Sequence, residues 1–294
     1  MKNGYRRYFF RVAFFLIFLQ LFGISLVYAD NGALDVGIFP RRGIKITHTM
    51  QKPLMDYLSE KIGRPVNLHV SKDFATFWKA FIDGQYDLVH FNQYHYLLAH
   101  ERLGYEAILR NVEFDTPYVS SVIITRKDSG INRLSDLRGK RIMFGGGPQA
   151  MMSYILPHWL LQQAGLSKGD YTEITAKNPP SALIATYKGA ADAVGTGSVV
   201  LKMGLVQKII DVDKMKIIKK TEAISFLPWA VPGDMEQELR DKIQHALSTL
   251  ESTEKGRDIL KKVRVSRFEK AVDADFDSAR DFVRELYGES FEVK

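Results

Sequence analysis

Apolar and polar positions follow a repeating order along this chain. Asp35-Val36-Gly37-Ile38-Phe39-Pro40 predicts a short strand stopped by proline. From Ile44 to Ile62 the apolar spacing is helical, through Met50, Leu54, Tyr57, Leu58 and Ile62, and Gly63 suits a C-cap. Val66 to Val70 alternates as a second strand. Residues 73–82 put Phe74, Phe77, Trp78 and Phe81 on one helical side, and residues 86–91 give a third strand after Gly84. Strand, helix, strand, helix, strand predicts a parallel sheet covered on both faces.

Residues 119–125 form a longer apolar strand, a candidate crossing between two lobes. Residues 135–139 read as a capped turn leading to a strand over 141–144, the run Gly145-Gly146-Gly147, and a helix over 150–164 closed by Gly165. A strand at 171–175, a helix at 181–187 and a strand at 191–194 repeat the rhythm of the first half. Residues 221–231 read as an extended return. Amphipathic helices are expected over 235–250, 253–262 and 275–287, packed on the first lobe. An internal echo points to two related halves: Gly84-Gln85-Tyr86-Asp87-Leu88-Val89 and Gly189-Ala190-Ala191-Asp192-Ala193-Val194 share Gly-x-x-Asp before an apolar strand. Asp87 and Asp192 read as structural groups at strand starts.

The N-terminus changes the picture. Lys2, Arg6, Arg7 and Arg11 precede an apolar stretch at 12–27, and Val27-Tyr28-Ala29 offers small residues for cleavage before Asp30. Residues 1–29 are therefore expected to be a signal peptide exporting the chain to the periplasm, with an uncleaved anchor as the alternative. Removing the four signal cations from the net charge of +7 leaves +3, and no basic block interleaves with aromatics, so nucleic acid is not an expected partner. With zero cysteines the chain has no disulfide, thiolate ligand, thiol nucleophile or lipoprotein tether and must rely on its core. The 294 residues suffice for one large domain or two lobes.

The candidate chemistry gathers at strand ends. The strand, glycine turn and helix start at 141–154 point backbone N–H groups above the sheet, either as a ligand cradle or as a plain loop. His90-Phe91-Asn92-Gln93-Tyr94-His95-Tyr96 follows the third strand, where open α/β sheets carry ligand groups. Asn92, Gln93 and Tyr94 are the expected contacts ahead of His95, unless Asn92 is simply a helix cap and Tyr96 packs inside. Tyr118 and Ser120 sit at the start of the crossing strand and alternate to one side. Phe39 and Arg41 follow strand one as an aromatic wall and a charge, with Arg42 as a solvated neighbour. Gln149 suits a ligand or the turn, Thr196 and Ser198 suit a ligand or the next helix, and Trp229 suits a core or hinge. His90, His95 and His100 lack the spacing of metal ligands on one helix face. Gly145-Gly146-Gly147 lacks both nucleotide-binding spacings, and no Gly-x-Ser-x-Gly elbow is present, so neither a cofactor nor an enzyme is expected.

Several stretches, in order, resemble the phosphate/phosphite/phosphonate family of periplasmic solute-binding proteins of ABC transporters. They are Gly37-Ile38-Phe39-Pro40-Arg41, Pro53 to Leu58, Gly63-Arg64-Pro65-Val66, Tyr118 to Lys127 with Asp128-Ser129-Gly130-Ile131, Leu134 to Lys140, Tyr154-Ile155-Leu156-Pro157, and Ser181 to Ala185 running on to Asp192-Ala193. The resemblance implies a two-lobed type II periplasmic-binding fold whose hinge strands are residues 119–125 and 225–231. It implies lobe one at residues 30–120 and 228–294, and lobe two at 121–227. It also implies a ligand site at Gly146, Gly147, Gln149, Ala150, Met151 and Asn178. The chain departs from the family motif there. Phosphonate binders carry Ser-Thr-Ser-Gly where this chain has Ala150, Met151, Met152 and Ser153, and a histidine where it has Pro179. Two hydroxyl donors are thus exchanged for soft apolar thioethers. The expectation is a monomeric solute-binding protein that delivers a small ligand to an ABC permease, the ligand being an oxyanion such as phosphate or phosphonate. The alternatives are a ligand-sensing partner of a membrane receptor or kinase, or a carrier of an apolar metabolite.

Overall fold

The computed structural model describes residues 32–288, so the expected signal peptide lies outside the described residues. The strands are β1 (Leu34–Ile38), β2 (Val66–Val70), β3 (Leu88–His90), β4 (Tyr105–Val112), β5 (Tyr118–Val119), β6 (Ser121–Arg126), β7 (Arg141–Gly145), β8 (Thr172–Ala176), β9 (Ala193–Gly197), β10 (Met215–Lys220), β11 (Ile224–Ser225), β12 (Pro228–Pro232) and β13 (Arg267–Lys270). The first sheet runs β13-β4-β12-β3-β1-β2 and the second β10-β6-β9-β7-β8. This is the two-lobed α/β architecture expected.

The sheets are mixed rather than parallel. β1 pairs in parallel with β2 and β3, and β7 with β8 and β9. β12 runs antiparallel to β3 and β4, because it returns from the second sheet through the crossing instead of through a helix on its own sheet. β6 is likewise antiparallel to β9 and β10. The expected crossing at 119–125 is broken at Ser120, between β5 and β6, and the return segment is divided between β11 and β12. β5 and β11 pair as a separate two-stranded ribbon, Tyr118 with Ser225 and Val119 with Ile224.

The helices are α1 (Ile44–Ile62), α2 (Phe74–Ile82), α3 (Gln93–Leu103), α4 (Leu156–Gln163), α5 (Pro179–Tyr187), α6 (Gly204–Gln207), α7 (Gln237–Ser248), α8 (Glu254–Val263) and α9 (Asp277–Tyr287). Caps set several boundaries. Asp73 accepts from the Thr76 amide, Thr253 from Gly256, and Gly63 closes α1 in the left-handed conformation. On one face of the first sheet, Leu34, Val36 and Trp229 pack with Leu54 and Leu58 of α1 and Ile243 and Leu247 of α7. On the other, Val89 and Phe91 pack with Phe77 and Phe81 of α2, Leu97 of α3 and Val283 of α9. Each such side chain contributes about 1.5–3 kcal/mol by leaving water. Helix α9 also reaches the second sheet's layer: Trp159 and Gln163 of α4 donate to Glu285 at 2.9 and 2.8 Å, and the Trp159 ring meets Phe282 at 4.6 Å.

Candidate functional site

The glycine loop leaves β7 under tight steric control. A Cβ on Gly145 would lie 2.4 Å from the Pro179 Cα, and Gly146 sits at φ +123°, which a side chain rarely tolerates. The expected helix over 150–164 begins instead as a π turn, Met151–Ile155, before α4. Pro157 is the physical reason. It has no N–H for the Ser153 carbonyl, and its ring crowds that carbonyl, so the turn widens to i→i+5 bonds such as Ile155 N–H to Ala150 O at 3.2 Å. The Met152 carbonyl, left without its helical donor, accepts from Ser121 Oγ at 2.9 Å. Ser153 Oγ folds back on the Gly145 carbonyl at 2.5 Å. Ala150 stays packed on the second sheet's core, whereas Met151 joins the cluster of the first sheet's layer.

The first sheet supplies the facing half. Asn92 caps α3, its Oδ1 accepting the His95 amide at 2.8 Å, and its Nδ2 donates to the Gln149 carbonyl at 3.1 Å. His95 Nε2 lies 3.2 Å from Gln149 Oε1. The Gln149 side of the glycine loop is therefore held at two points by the N-terminal turn of α3. Met151 is fully buried in one apolar cluster with Phe39, Phe91 and Tyr94 of the first sheet's layer, and Met152 packs at its edge. Burial of a methionine here contributes about 2 kcal/mol, comparable to the two part-buried hydrogen bonds together at about 0.5–1.5 kcal/mol each.

His95 explains part of this contact's electrostatics. It is sandwiched by Phe74 at 5.0 Å and 7° and by Trp78 at 5.2 Å. Burial lowers its pKa to about 4, against which the Gln149 hydrogen bond pulls weakly upward. It is neutral at pH 7. The sequence ranked it behind Gln93 as a contact, yet Gln93 turns away and donates to the Ser225 carbonyl at 3.0 Å. The signal was available in spacing: His95 is three residues after the cap, hence on Asn92's side of the first turn.

The other candidates distribute as follows. Phe39 is buried against Phe74 and His90, and Arg41 pairs with Glu113 at 2.6 and 3.2 Å. Gly147 accepts the Ala150 amide at 2.9 Å and Gly146 donates to Ala176 at 3.0 Å. Tyr118 lies in the ribbon, 47 % exposed, with the Arg110 guanidinium 5.0 Å from its ring centre. Ser120 and Ser198 join through backbone, the Ser198 amide donating to the Ser120 carbonyl at 2.8 Å. Asn178 caps α5, accepting from the Ser181 amide at 3.0 Å, behind Gly145 rather than beside Gln149. Thr196 points away from the loop: Gly197 next to it faces Met152, and strand side chains alternate. Its Oγ1 is buried without a partner. Arg42, expected to be solvated, is half-buried, and burial together with the Arg41 charge lowers its pKa to about 10. Trp229 is a core residue stacked on His90 at 4.6 Å, and its Nε1 donates to Asn111 at 2.9 Å.

The strand-end loops thus meet face to face, with the amide of Asn92 and the Gln149 carbonyl and side chain beside a cluster of aromatic and thioether groups. Among the described residues no group of His, Asp and Glu side chains is arranged to hold a metal. The family model described as the periplasmic substrate-binding protein of a phosphonate ABC transporter matches residues 36–276. The chain is 24 % identical over 242 residues to the phosphonates-binding periplasmic protein of Escherichia coli, covering 78 % of this chain and 71 % of that protein. It is 31 % identical over 161 residues to a tetrathionate sensor histidine kinase of Salmonella typhimurium, covering 51 % of this chain and 26 % of that one. Two solved structures share the fold. One is a binding-protein component of a phosphonate ABC transporter from Pseudomonas aeruginosa (TM-score 0.74, 16 % identity, 89 % of this chain and 88 % of that one). The other is PhnD1 of Prochlorococcus marinus in complex with methylphosphonate (TM-score 0.75, 17 % identity, 88 % and 100 %).

Proposed function

The chain belongs to the family of periplasmic phosphonate-binding proteins of ABC transporters, a family of substrate-binding proteins rather than enzymes, and from that premise we propose that it closes on a small solute between its two sheets and presents the closed form to an ABC permease. The observation that carries this reading is Gln149, which joins the glycine loop to Asn92 and His95 across the facing strand ends. In this reading lobe one comprises residues 30–120 and 228–294 and lobe two residues 121–227, with the β5–β11 ribbon as hinge. Export through residues 1–29 and action in the periplasm belong to the same proposal, as does a monomeric state.

The ligand proposed is a small molecule with an oxyanion head and an apolar tail. Backbone N–H groups of the glycine loop and the amide of Asn92 would serve the head, and Met151, Met152, Phe39 and Phe74 the tail. The relatives named for phosphonates support the head, and the thioethers that stand in place of hydroxyls support the tail. A thermal-shift panel of phosphate, phosphite, methylphosphonate, longer alkylphosphonates, sulfonates and uncharged apolar metabolites tests this. Alkylated oxyanions should raise the melting temperature most, because a ligand that binds only the folded state stabilises by mass action. Response to the uncharged set alone would replace the oxyanion reading by an apolar carrier, and silence across the panel would remove both.

A second reading rests on the likeness to the sensor histidine kinase: the closed form would signal to a membrane receptor instead of feeding a permease. Co-purification of the loaded protein with a permease or with a kinase ectodomain separates the two.

A further inference from the structure

Below the first turns of α1 lies a cavity of about 10 Å³, walled by Phe39, Arg41, Arg42, Thr47, Gln51 and His90. It belongs to the α1 face of the first sheet, because His90 lies two residues after Leu88 on β3 and so shares its face, and Leu88 packs among the α1 residues. Phe39 stands between it and the cluster around Met151, while His90, Arg42 and Gln51 take no part in the loop contact at Gln149.

Its wall carries polar groups that the protein leaves unmatched. His90 is 4 % exposed, and its Nδ1 has no hydrogen-bond partner. Asn111 Nδ2, a donor only, lies 3.3 Å from His90 Nε2, so Nε2 keeps the lone pair and Nδ1 carries the proton. Burial, with Arg41 and Arg42 adding repulsion, keeps the ring neutral. Gln51 Oε1 is likewise buried without a partner, and a half-turn of that amide presents N–H in its place.

Charge is unbalanced in the same place. Glu113 pairs with Arg41 and also favours the Arg42 charge, but Arg42 makes no ion pair of its own among the described residues, and burial, Arg41 and Arg264 oppose its charge, so three guanidinium groups face one carboxylate. Helix α1 offers no relief: its N-cap is Gly43, which has no side chain, and its first turn holds no acid.

We propose that this cavity binds one monatomic anion of chloride size, held by the His90 N–H and the Arg42 guanidinium. The space suits a single atom-sized occupant. A water in the cavity could bridge His90 to Gln51, but it would leave the Arg41–Arg42 repulsion in place. An anion matches the buried donor and offsets that excess charge. The two groups proposed to hold the anion, His90 and Arg42, are not among those proposed to hold the solute; only Phe39 is shared, as a wall.

The test is thermal unfolding of the purified protein at constant ionic strength, with gluconate exchanged stepwise for chloride or bromide. A saturable rise of roughly 2–4 °C is expected, absent in Arg42→Gln. Lys45→Gln, which removes an exposed neighbouring charge, should keep the rise. A bromide-soaked crystal should show an anomalous peak within hydrogen-bond reach of His90 Nδ1. Equal melting in gluconate and halide, a rise shared by Arg42→Gln, or a water at His90 with no bromide signal would each overturn the site.

Discussion

At the scale of single residues, Asp87 and Asp192 show what a short pattern can encode. Asp87 Oδ2 accepts the Asp35 amide at 2.8 Å while its own amide donates to the Asp35 carbonyl at 2.8 Å. Asp192 does the same with Arg141, at 2.8 Å in both directions. The Gly-x-x-Asp echo therefore marks one device used twice, a carboxylate that locks the start of one parallel strand to its neighbour. Asp192→Ala should cost about 1–2 kcal/mol of stability in urea unfolding, because it orphans that amide. Gly145→Ala should cost about 1–3 kcal/mol, since the new methyl meets the Pro179 backbone, which cannot move as a side chain could. The role of Asp192 was legible in the sequence; that of Gly145 was not, because Pro179 is a neighbour only in the fold. His95 was underrated for the same reason, as its aromatic shell comes from α2. Its folded pKa of about 4 lies below the ordinary 6.5, so its contribution is complete above pH 6.5 and is lost as pH falls toward 4. The unfolding free energy from urea titrations should drop across that window by up to about 3 kcal/mol, and His95→Gln should flatten the slope, with His90 supplying the remainder.

At the scale of elements, periodicity located seven of the helices and the buried parallel strands, but not the extent of α3, the short α6 or the strand β4. It failed where a strand's burial depends on a partner distant in sequence. β13 carries one buried side chain, Phe268, and β10 is an edge strand in which Lys216, Lys219 and Lys220 interrupt the apolar residues, so neither has a long apolar run of its own. The π turn was equally hidden, although its cause, Pro157, stands in the sequence: one proline in a first helical turn is usually harmless, and here it falls one turn too late. The turn suggests an experiment at its own level. Replacing Ala150-Met151-Met152 by Ser-Thr-Ser should remove buried thioether surface, lowering stability by about 2 kcal/mol, and should strengthen the response to unsubstituted phosphate relative to alkylphosphonates. An unchanged ligand ranking by calorimetry would show that the turn does not choose the ligand.

At the scale of the whole molecule, the α/β order and the crossing segments were legible, whereas strand direction was not, since it depends on how the chain leaves and re-enters each sheet. If the loop contacts latch a closed form, weakening them should shift the population toward an open one. Gln149→Ala should enlarge the radius of gyration of the ligand-free protein and weaken ligand affinity about 3- to 10-fold while leaving the urea midpoint nearly unchanged, whereas Asn92→Ala should do the same and also cost about 1 kcal/mol by removing the cap of α3. Scattering curves identical to the parent's would remove the latch. Helix α9 adds a consequence. Trp159 rests on Phe282 and Glu285 of that helix, whereas Trp78 packs beside His95 and Trp229 is stacked inside the first sheet's core. Of the three indoles in the chain, only Trp159 bridges from the second sheet's layer to the terminal helix, so its emission colour offers a built-in optical gauge of how far the jaws stand apart.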